Sequence, residues 1–369
     1  MKNQIAIHHR QGSFSDRWIA YCDEHGIPYK VVNCLASDII QQLAHAEGLL
    51  WHWSHGDPSE QLIARQVVRA VEGMGIPVFP NTSSCWHFDD KIGQKYLLEA
   101  IGAALAPTHV FYNLADALCW IDKTTFPKVF KLSKGAGSAN VRLVRNAREA
   151  RWLAKRAMTR GFRPLAGYAQ DAQKRFRAAR KRGDLFGVLR RMPAMLAKIR
   201  QINQDMGCER GYVYFQDLIP GNDFDTRITI IGNRAFGFTR NVRPGDFRAS
   251  GSGDINYDVA RINMQCVRTA FEVARKIASQ SLAFDFVLDE NRRPLILEVS
   301  YGFDARAVYA CQGHWDEQLN WHPGQMWPQD AILTDFIGKS HDANLHPITS
   351  QRSITPRGSL ATEEELTGR

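Results

Sequence analysis

Over the first 80 residues, short apolar runs alternate with amphipathic stretches. Residues 4–8 (Gln-Ile-Ala-Ile-His) read as a buried strand, followed by a Gly-Ser turn and a helix over 15–25. A second strand over 27–32, a helix over 36–46 and a third strand over 48–53 come next. A helix over 59–74 carries apolar residues at 62, 63, 67, 71 and 74, and 75–80 closes the unit. This βαβαβαβ order predicts a small parallel sheet covered by helices.

The next helix, 88–102, opens on Asp89-Asp90-Lys91, and strands follow near 108–111 and 127–132. Between the second of these and a strand at 141–144 lies Ser133-Lys134-Gly135-Ala136-Gly137-Ser138-Ala139-Asn140. Such a strand, small-residue loop, strand unit can fold over phosphates. Its backbone N–H groups are unobstructed by side chains, and Lys134 adds a charge. Farther on, Leu185, Val188, Leu189, Met192, Met195, Leu196 and Ile199 fall at helical spacing among basic residues, and Pro193 predicts two short helices rather than one. From 211 the character turns antiparallel. Strands over 212–219, 224–231 and 235–242 are broken by Pro220-Gly221-Asn222-Asp223 and Gly232-Asn233-Arg234 turns. A polar, glycine-rich loop, a helix over 259–280 and two strands, 283–288 and 295–299, complete the pattern. After Asp335 periodicity fades, and 340–369 read as a flexible tail.

Composition adds exclusions. The 369 residues are 44% hydrophobic and 23% charged, which rules out collagen and low-complexity disorder. No apolar run approaches the ~18–20 residues of a membrane span, and Ile5-Ala6-Ile7 is too short for a signal-peptide core. A cytoplasmic protein is expected. Seven scattered cysteines, with no CxxC pair, predict free thiols rather than a disulfide framework or a zinc site.

The net charge of +9 is concentrated. Residues 160–200 hold twelve Lys/Arg and two acids, +10, which leaves −1 for the rest of the chain. Three readings compete for this segment: a solvated helical hairpin, contact with an anionic membrane surface, or a grip on a polyanion. The expectation is a lipid-surface or acidic-glycan contact, at the inner face of the membrane in the former case. Nucleic acid is disfavoured because aromatic residues there are sparse.

Asp285 and Glu298 are the strongest chemical pair. Each lies inside an otherwise apolar strand, and a short turn makes the two strands a hairpin, so the carboxylates can sit side by side. Two buried carboxylates call for a cation or a donor. Mg²⁺ takes one or two carboxylates plus phosphate oxygens; a structural ion pair with an arginine is the alternative.

Five blocks now carry a resemblance. They are Phe79-Pro80-Asn81 with Asp90-Lys91; 126–131 with the small-residue loop; 214–221 (Tyr-Phe-Gln-Asp-Leu-Ile-Pro-Gly); Asp225-Thr226-Arg227 with Gly245-Asp246-Phe247-Arg248; and Asp285 with Glu298. In this order they resemble the ATP-grasp superfamily, and within it the glutathione synthetase and ribosomal-protein glutamate ligase type, over roughly 75–305. The resemblance implies an α/β protein of ATP-grasp fold. An N-terminal parallel domain (1–82) would precede two α+β subdomains, 83–158 and 209–338, that sandwich ATP. A basic helical insertion (159–208) would separate the subdomains, and a flexible tail (339–369) would follow.

It also implies roles. Lys91 and Lys131 resemble the lysines that hold nucleotide phosphates, with Gly135, Gly137 and Ser138 in the phosphate loop. Gln216, Asp217, Leu218 and Ile219 resemble the hinge that meets adenine, and Asp225 the acid at the ribose. Arg227, Arg240 and Arg248 resemble arginines near the transferred phosphate or the acid substrate. Asp285, Glu298 and Ser300 match the metal motif, with Mg²⁺ expected and Mn²⁺ as a substitute. Ser300 departs from the usual Asn; Asn140 and Ser250 also depart from their blocks. The implied activity is ATP-dependent carboxylate–amine ligation through an acyl phosphate, releasing ADP and phosphate. A phosphotransferase and a nucleotide-binding protein with faded catalysis are the alternatives. The substrates would be a small-molecule or glycan carboxylate and an amine, and an oligomer is compatible with relatives. His8-His9-Arg10 and Trp51-His52-Trp53-Ser54-His55 at strand ends, and the aromatic stretch 301–327, are candidates for the acceptor pocket.

Overall fold

The run Ile5-Ala6-Ile7 forms the middle of a strand buried on both faces, as a parallel sheet covered by helices requires. In this computed structural model, residues 4–135, 140–163, 207–243, 245–249, 251 and 253–345 are described, with 339–345 as helical backbone only. Gly137, Ser138, Ser250, most of the basic insertion (164–206) and the tail from 346 lie outside the described residues.

Strands β1 (Gln4–His8), β2 (Tyr29–Val32), β3 (Ala46–Leu50) and β4 (Val78–Phe79) pair in parallel in the order β2-β1-β3-β4. Helices α1 (Phe14–His25) and α3 (Pro58–Gly73) start at side-chain caps: Ser13 accepts from the Ser15 amide, and Asp57 from those of Ser59 and Glu60. The helix expected over 36–46 shrinks to α2 (Ile39–Gln42), because Ala46 is already paired with Gln4 in the sheet.

A short helix, α4 (Thr82–Cys85), leads to α5 (Lys91–Ala100), which Asp90 caps through the Ile92 and Gly93 amides. Then come β5 (Thr108–Phe111), α6 (Leu114–Ile121), β6 (Lys128–Lys131), β7 (Val141–Val144) and α7 (Ala147–Met158). Strand β8 (Val213–Asp217) completes this sheet, in the antiparallel order β5-β8-β6-β7. Residues 209–217, grouped by their sequence with the 209–338 unit, thus pair with the earlier one. The Phe162 and Glu209 backbones bond each other at 2.9 and 2.8 Å, which brings the two ends of the insertion together.

A larger antiparallel sheet faces this one. It comprises β9 (Phe224–Ile231), β10 (Arg234–Asn241), β11 (Ile255–Asn256), β12 (Ser281–Leu288), β13 (Pro294–Ser300), β14 (Gly313–Trp315) and β15 (Trp321–Pro323). Its order is β13-β12-β9-β10-β14-β15, with β11 on β10. Helix α8 (Met264–Ile277) packs Val267, Ala270, Phe271 and Ala274 against it. The helix expected over 259–280 begins as a 3₁₀ turn (Val259–Arg261), and Asn263 caps α8 separately. After α9 (Ala305–Tyr309), α10 (Pro328–Leu345) returns to the N-terminal domain. It buries Ala331, Ile332, Leu333 and Phe336 among Phe14, Trp18 and Phe79, and Arg17 pairs with Asp330 at 2.7 Å. The expected tail from 339 is therefore helical up to Leu345.

Candidate active site

Two clefts meet at one pair of carboxylates. The first, of about 510 Å³, lies between the two antiparallel sheets. The second, of about 330 Å³, lies between the larger sheet and the strand ends of the N-terminal domain. Asp285 and Glu298 line both. They are cross-strand neighbours on β12 and β13, with a register shift just after Asp285.

Nearly all the residues expected at a nucleotide come together in the first cleft: Lys91, Lys131, Gly135, Gln216, Asp217, Leu218, Ile219, Asp225 and Arg248 line it. The two lysines differ in company. Lys131, in a fully buried strand, donates to the neutral Gln216 Oε1 at 2.6 Å, and burial lowers its pKa to about 8. Lys91 is buried too, but Glu298 (3.5 Å), Asp89 and Glu209 outweigh the cost of burial and raise its pKa. Gln216 is itself held by donating to Thr108 Oγ1 at 3.0 Å. The Asp217 carboxylate accepts from Lys128 at 2.7 Å, and Arg248 forks onto Asp246.

Arg227 and Arg240 line the second cleft rather than the first. Strand register explains their partners: Asp285 stands opposite Arg227, and Arg240 opposite Asp225. Arg227 grips Asp285 with two bonds of 2.7 Å. Arg240 grips Asp225 at 2.7 and 2.6 Å and reaches Asp285 at 2.9 Å. Burial pushes the Asp285 carboxyl up, but the two guanidinium groups more than offset this and hold it well below the usual carboxylate range. Ser300 also faces the second cleft, and its Oγ is engaged with Gly302, accepting from N–H at 3.2 Å and donating to O at 2.8 Å. Among the described residues, no group of three or more His, Cys, Asp or Glu could hold a metal ion.

The N-terminal domain contributes Arg10, His52, Ser54 and His55 to the second cleft, and Phe303 closes it. His52 stacks on Phe14 (ring centroids 3.8 Å apart), and its Nδ1 accepts from the Phe14 amide at 3.4 Å. The proton is therefore on Nε2. Burial, helped by Arg10, lowers the His52 pKa to about 3, so the ring is a neutral donor. Arg10 donates to the His52 carbonyl at 3.2 Å, and the buried Glu60 lies 3.6 Å behind it. Of the aromatic residues over 301–327, Phe303 alone lines this cleft; Tyr309 stacks on Trp327 and His314 on His322 elsewhere.

Three acids to which sequence reasoning gave no role matter here: Glu60, Asp89 and Glu209. Glu60 and Glu209 lie outside any motif and Asp89 only adjoins Asp90-Lys91, and nothing in the local pattern distinguishes them from solvated carboxylates.

No family model matches the chain, and no curated protein does. Solved structures do. A RimK domain ATP-grasp protein from Sphaerobacter thermophilus aligns with a TM-score of 0.54 at 13% identity, over 90% of this chain and 99% of that one. D-cycloserine synthetase DcsG gives 0.54 at 13%, over 90% and 100%. D-alanine–D-alanine ligase from Bacillus anthracis, complexed with ATP, gives 0.52 at 14%, over 92% and 98%. The chain has the ATP-grasp fold.

Proposed function

We propose that the protein is an ATP-dependent carboxylate–amine ligase that works through an acyl phosphate. The observation that carries this reading is the junction of the clefts at Asp285 and Glu298. One cleft offers buried lysines to a polyphosphate and the other offers donors to a small acid. The neighbours' names, a synthetase and a ligase solved with ATP, support the same chemistry.

In this reading, Lys91 and Lys131 hold the terminal phosphates, and 216–219 hold the base through backbone groups. Asp285 and Glu298 are the carboxylates that would hold Mg²⁺, or Mn²⁺ in its place, Asp285 by exchanging its bonds to Arg227 and Arg240 for the ion. Ser300 enters only by giving up Gly302. The ion would neutralise charge on the transferred phosphoryl group. The substrate carboxylate lies in the second cleft beside Arg227 and Arg240. Its oxygen displaces ADP from the γ-phosphorus, and an amine then displaces phosphate from the acyl carbon, losing a proton. Positioning and charge neutralisation do most of the work. Domain boundaries follow the sheets: an N-terminal unit through β4, a first subdomain that takes in β8, and a second from β9 onward. The basic segment as a lipid or acidic-glycan contact belongs to the same proposal.

The test is ADP release with Mg·ATP, pooled carboxylic acids and hydroxylamine. A hydroxamate formed by the wild type and lost in Glu298→Gln is expected. A stable phosphorylated product without hydroxamate would instead establish a phosphotransferase. A second reading, nucleotide binding with faded catalysis, draws on the double arginine grip on Asp285. It predicts ATP binding with no ADP formed from any acid.

A further inference from the structure

Where β6 leaves its sheet, the backbone of Ser133, Lys134 and Gly135 is fully bonded. The Ser133 amide donates to Glu209 Oε2 at 3.0 Å and to the Tyr212 hydroxyl oxygen at 2.7 Å. The Lys134 amide donates to Glu209 Oε1 at 3.2 Å, and the Gly135 amide to Asp89 Oδ1 at 2.7 Å. On the other side, the Ser133 carbonyl accepts from the Lys91 amide at 3.1 Å, the Lys134 carbonyl from Asn140 Nδ2 at 3.0 Å, and the Gly135 carbonyl from Lys91 Nζ at 2.8 Å. These three amides therefore do not cradle phosphate in this state. Carboxylates hold one side of the stem and an ammonium the other, an arrangement in which each charge-assisted bond polarises the peptide between them.

The anchors are themselves fixed. Glu209 is tied by its backbone to Phe162 and takes the Tyr212 hydroxyl as a further donor. Gly161, at φ 67°, lies so close that a Cβ there would meet the Glu209 carbonyl at 2.5 Å. Asp89 sits at φ 54°, a left-handed conformation that Asp and Asn tolerate best. Its Oδ2 is buried without a hydrogen-bond partner among the described residues, so the side chain is committed to the Gly135 amide.

We infer that Glu209, together with Asp89, is a positioning residue for nucleotide phosphate. The two carboxylates lock the 133–135 stem, whose carbonyls set the Lys91 ammonium in the first cleft, 3.5 Å from Glu298. This rests on the nucleotide reading above. Neither acid touches the nucleotide; both act through Lys91.

Isothermal titration of Mg·ATP and of adenosine into wild type, Glu209→Ala and Glu209→Gln tests this. For the alanine variant, the Kd for Mg·ATP rises about tenfold, the order expected for losing charge-assisted bonds, while the Kd for adenosine is unchanged. Glu209→Gln, which keeps an acceptor, falls between. Asp89→Ala behaves as Glu209→Ala does and Asp89→Asn falls between, as Glu209→Gln does, which keeps the test open should one variant fail to fold. Equal weakening toward both ligands, or an unchanged Kd for Mg·ATP, overturns the inference and leaves the ligase reading standing. A wild type that binds Mg·ATP no tighter than adenosine overturns both.

Discussion

The two clefts share a pair of carboxylates but differ in how their cations are balanced. In the first, Lys91 has Glu298 at 3.5 Å and Arg248 is forked onto Asp246, but Lys131 has, among the described residues, only the neutral Gln216 as a bonded partner. In the second, Arg227 and Arg240 are already forked onto Asp285 and Asp225. The first suits a ligand that brings its own negative charge. The second is balanced before anything enters, so a ligand there must use donors that remain free, such as the His52 Nε2–H, or exchange with an ion pair. One cleft is thus built for charge and the other for shape and hydrogen bonds.

The sharpest way to break this contrast is to remove the group common to both sides. Asp285→Ala leaves the Arg227 and Arg240 guanidinium groups under-compensated in a buried setting. A loss of about 3–5 kcal/mol in unfolding free energy is expected from breaking such a pair on one side. Urea denaturation measures it, and a loss below about 1 kcal/mol would mean that the arginines are solvated rather than held.

A pH series sharpens the first cleft. The Lys131 pKa is lowered from 10.5 to about 8 in the folded chain, so between those values the unfolded state binds more protons. The free protein therefore gains stability as pH rises through that window, because the burial penalty of the ammonium is relieved. Phosphate binding runs the other way, since it favours the charged lysine. At roughly pH 8.5, Mg·ATP binding is expected to take up a substantial fraction of a proton, read as a heat that depends on the buffer's ionisation enthalpy. Lys91, whose pKa is raised, contributes none there. Uptake that persists undiminished in Lys131→Met would assign the proton to another group.

His52→Phe sharpens the second cleft. Phenylalanine keeps the stack on Phe14 and removes the Nε2 donor. Hydroxamate formation is expected to fall about tenfold, the worth of one buried hydrogen bond to a reacting acid, while the Kd for Mg·ATP stays within about twofold. A parallel fall in both quantities would show that the clefts are not separable.

How much of this was legible beforehand divides along the same line. Many first-cleft residues lie in or next to strands whose apolar runs announce them, and a charge such as Lys131 or Asp285 inside such a run stands out. The β9–β10 and β12–β13 hairpins follow from the same runs and their short turns, whereas the β9–β12 pairing that joins them is long-range. The second cleft is made where strand ends of one domain meet another sheet, a contact no local pattern encodes. Arg227 and Arg240 were visible as residues, but which of the two clefts on their face of the sheet they line was not. Helix α10 was missed because Ala331, Ile332 and Leu333 are consecutive instead of spaced by a helical turn. They are buried by the N-terminal domain, far away in sequence. The membership of β8 was hidden by the insertion between it and its partners.

The smallest expected effect concerns the hinge. Asp217 is about one-third exposed and already neutralised by Lys128 at 2.7 Å, so its carboxylate has little left for an adenine amino group. Backbone groups of 216–219 would then carry recognition of the base, and they do not depend on the side chain. Asp217→Asn is expected to change the Kd for Mg·ATP by about threefold at most, and stability by less than about 1 kcal/mol, as for other half-exposed pairs. Wild type is expected to bind ATP more tightly than GTP, and Asp217→Asn to keep that preference for the same reason. A variant that loses this preference would make the side chain a direct reader of the base. The pairing with Lys128 would then be an arrangement that the nucleotide replaces.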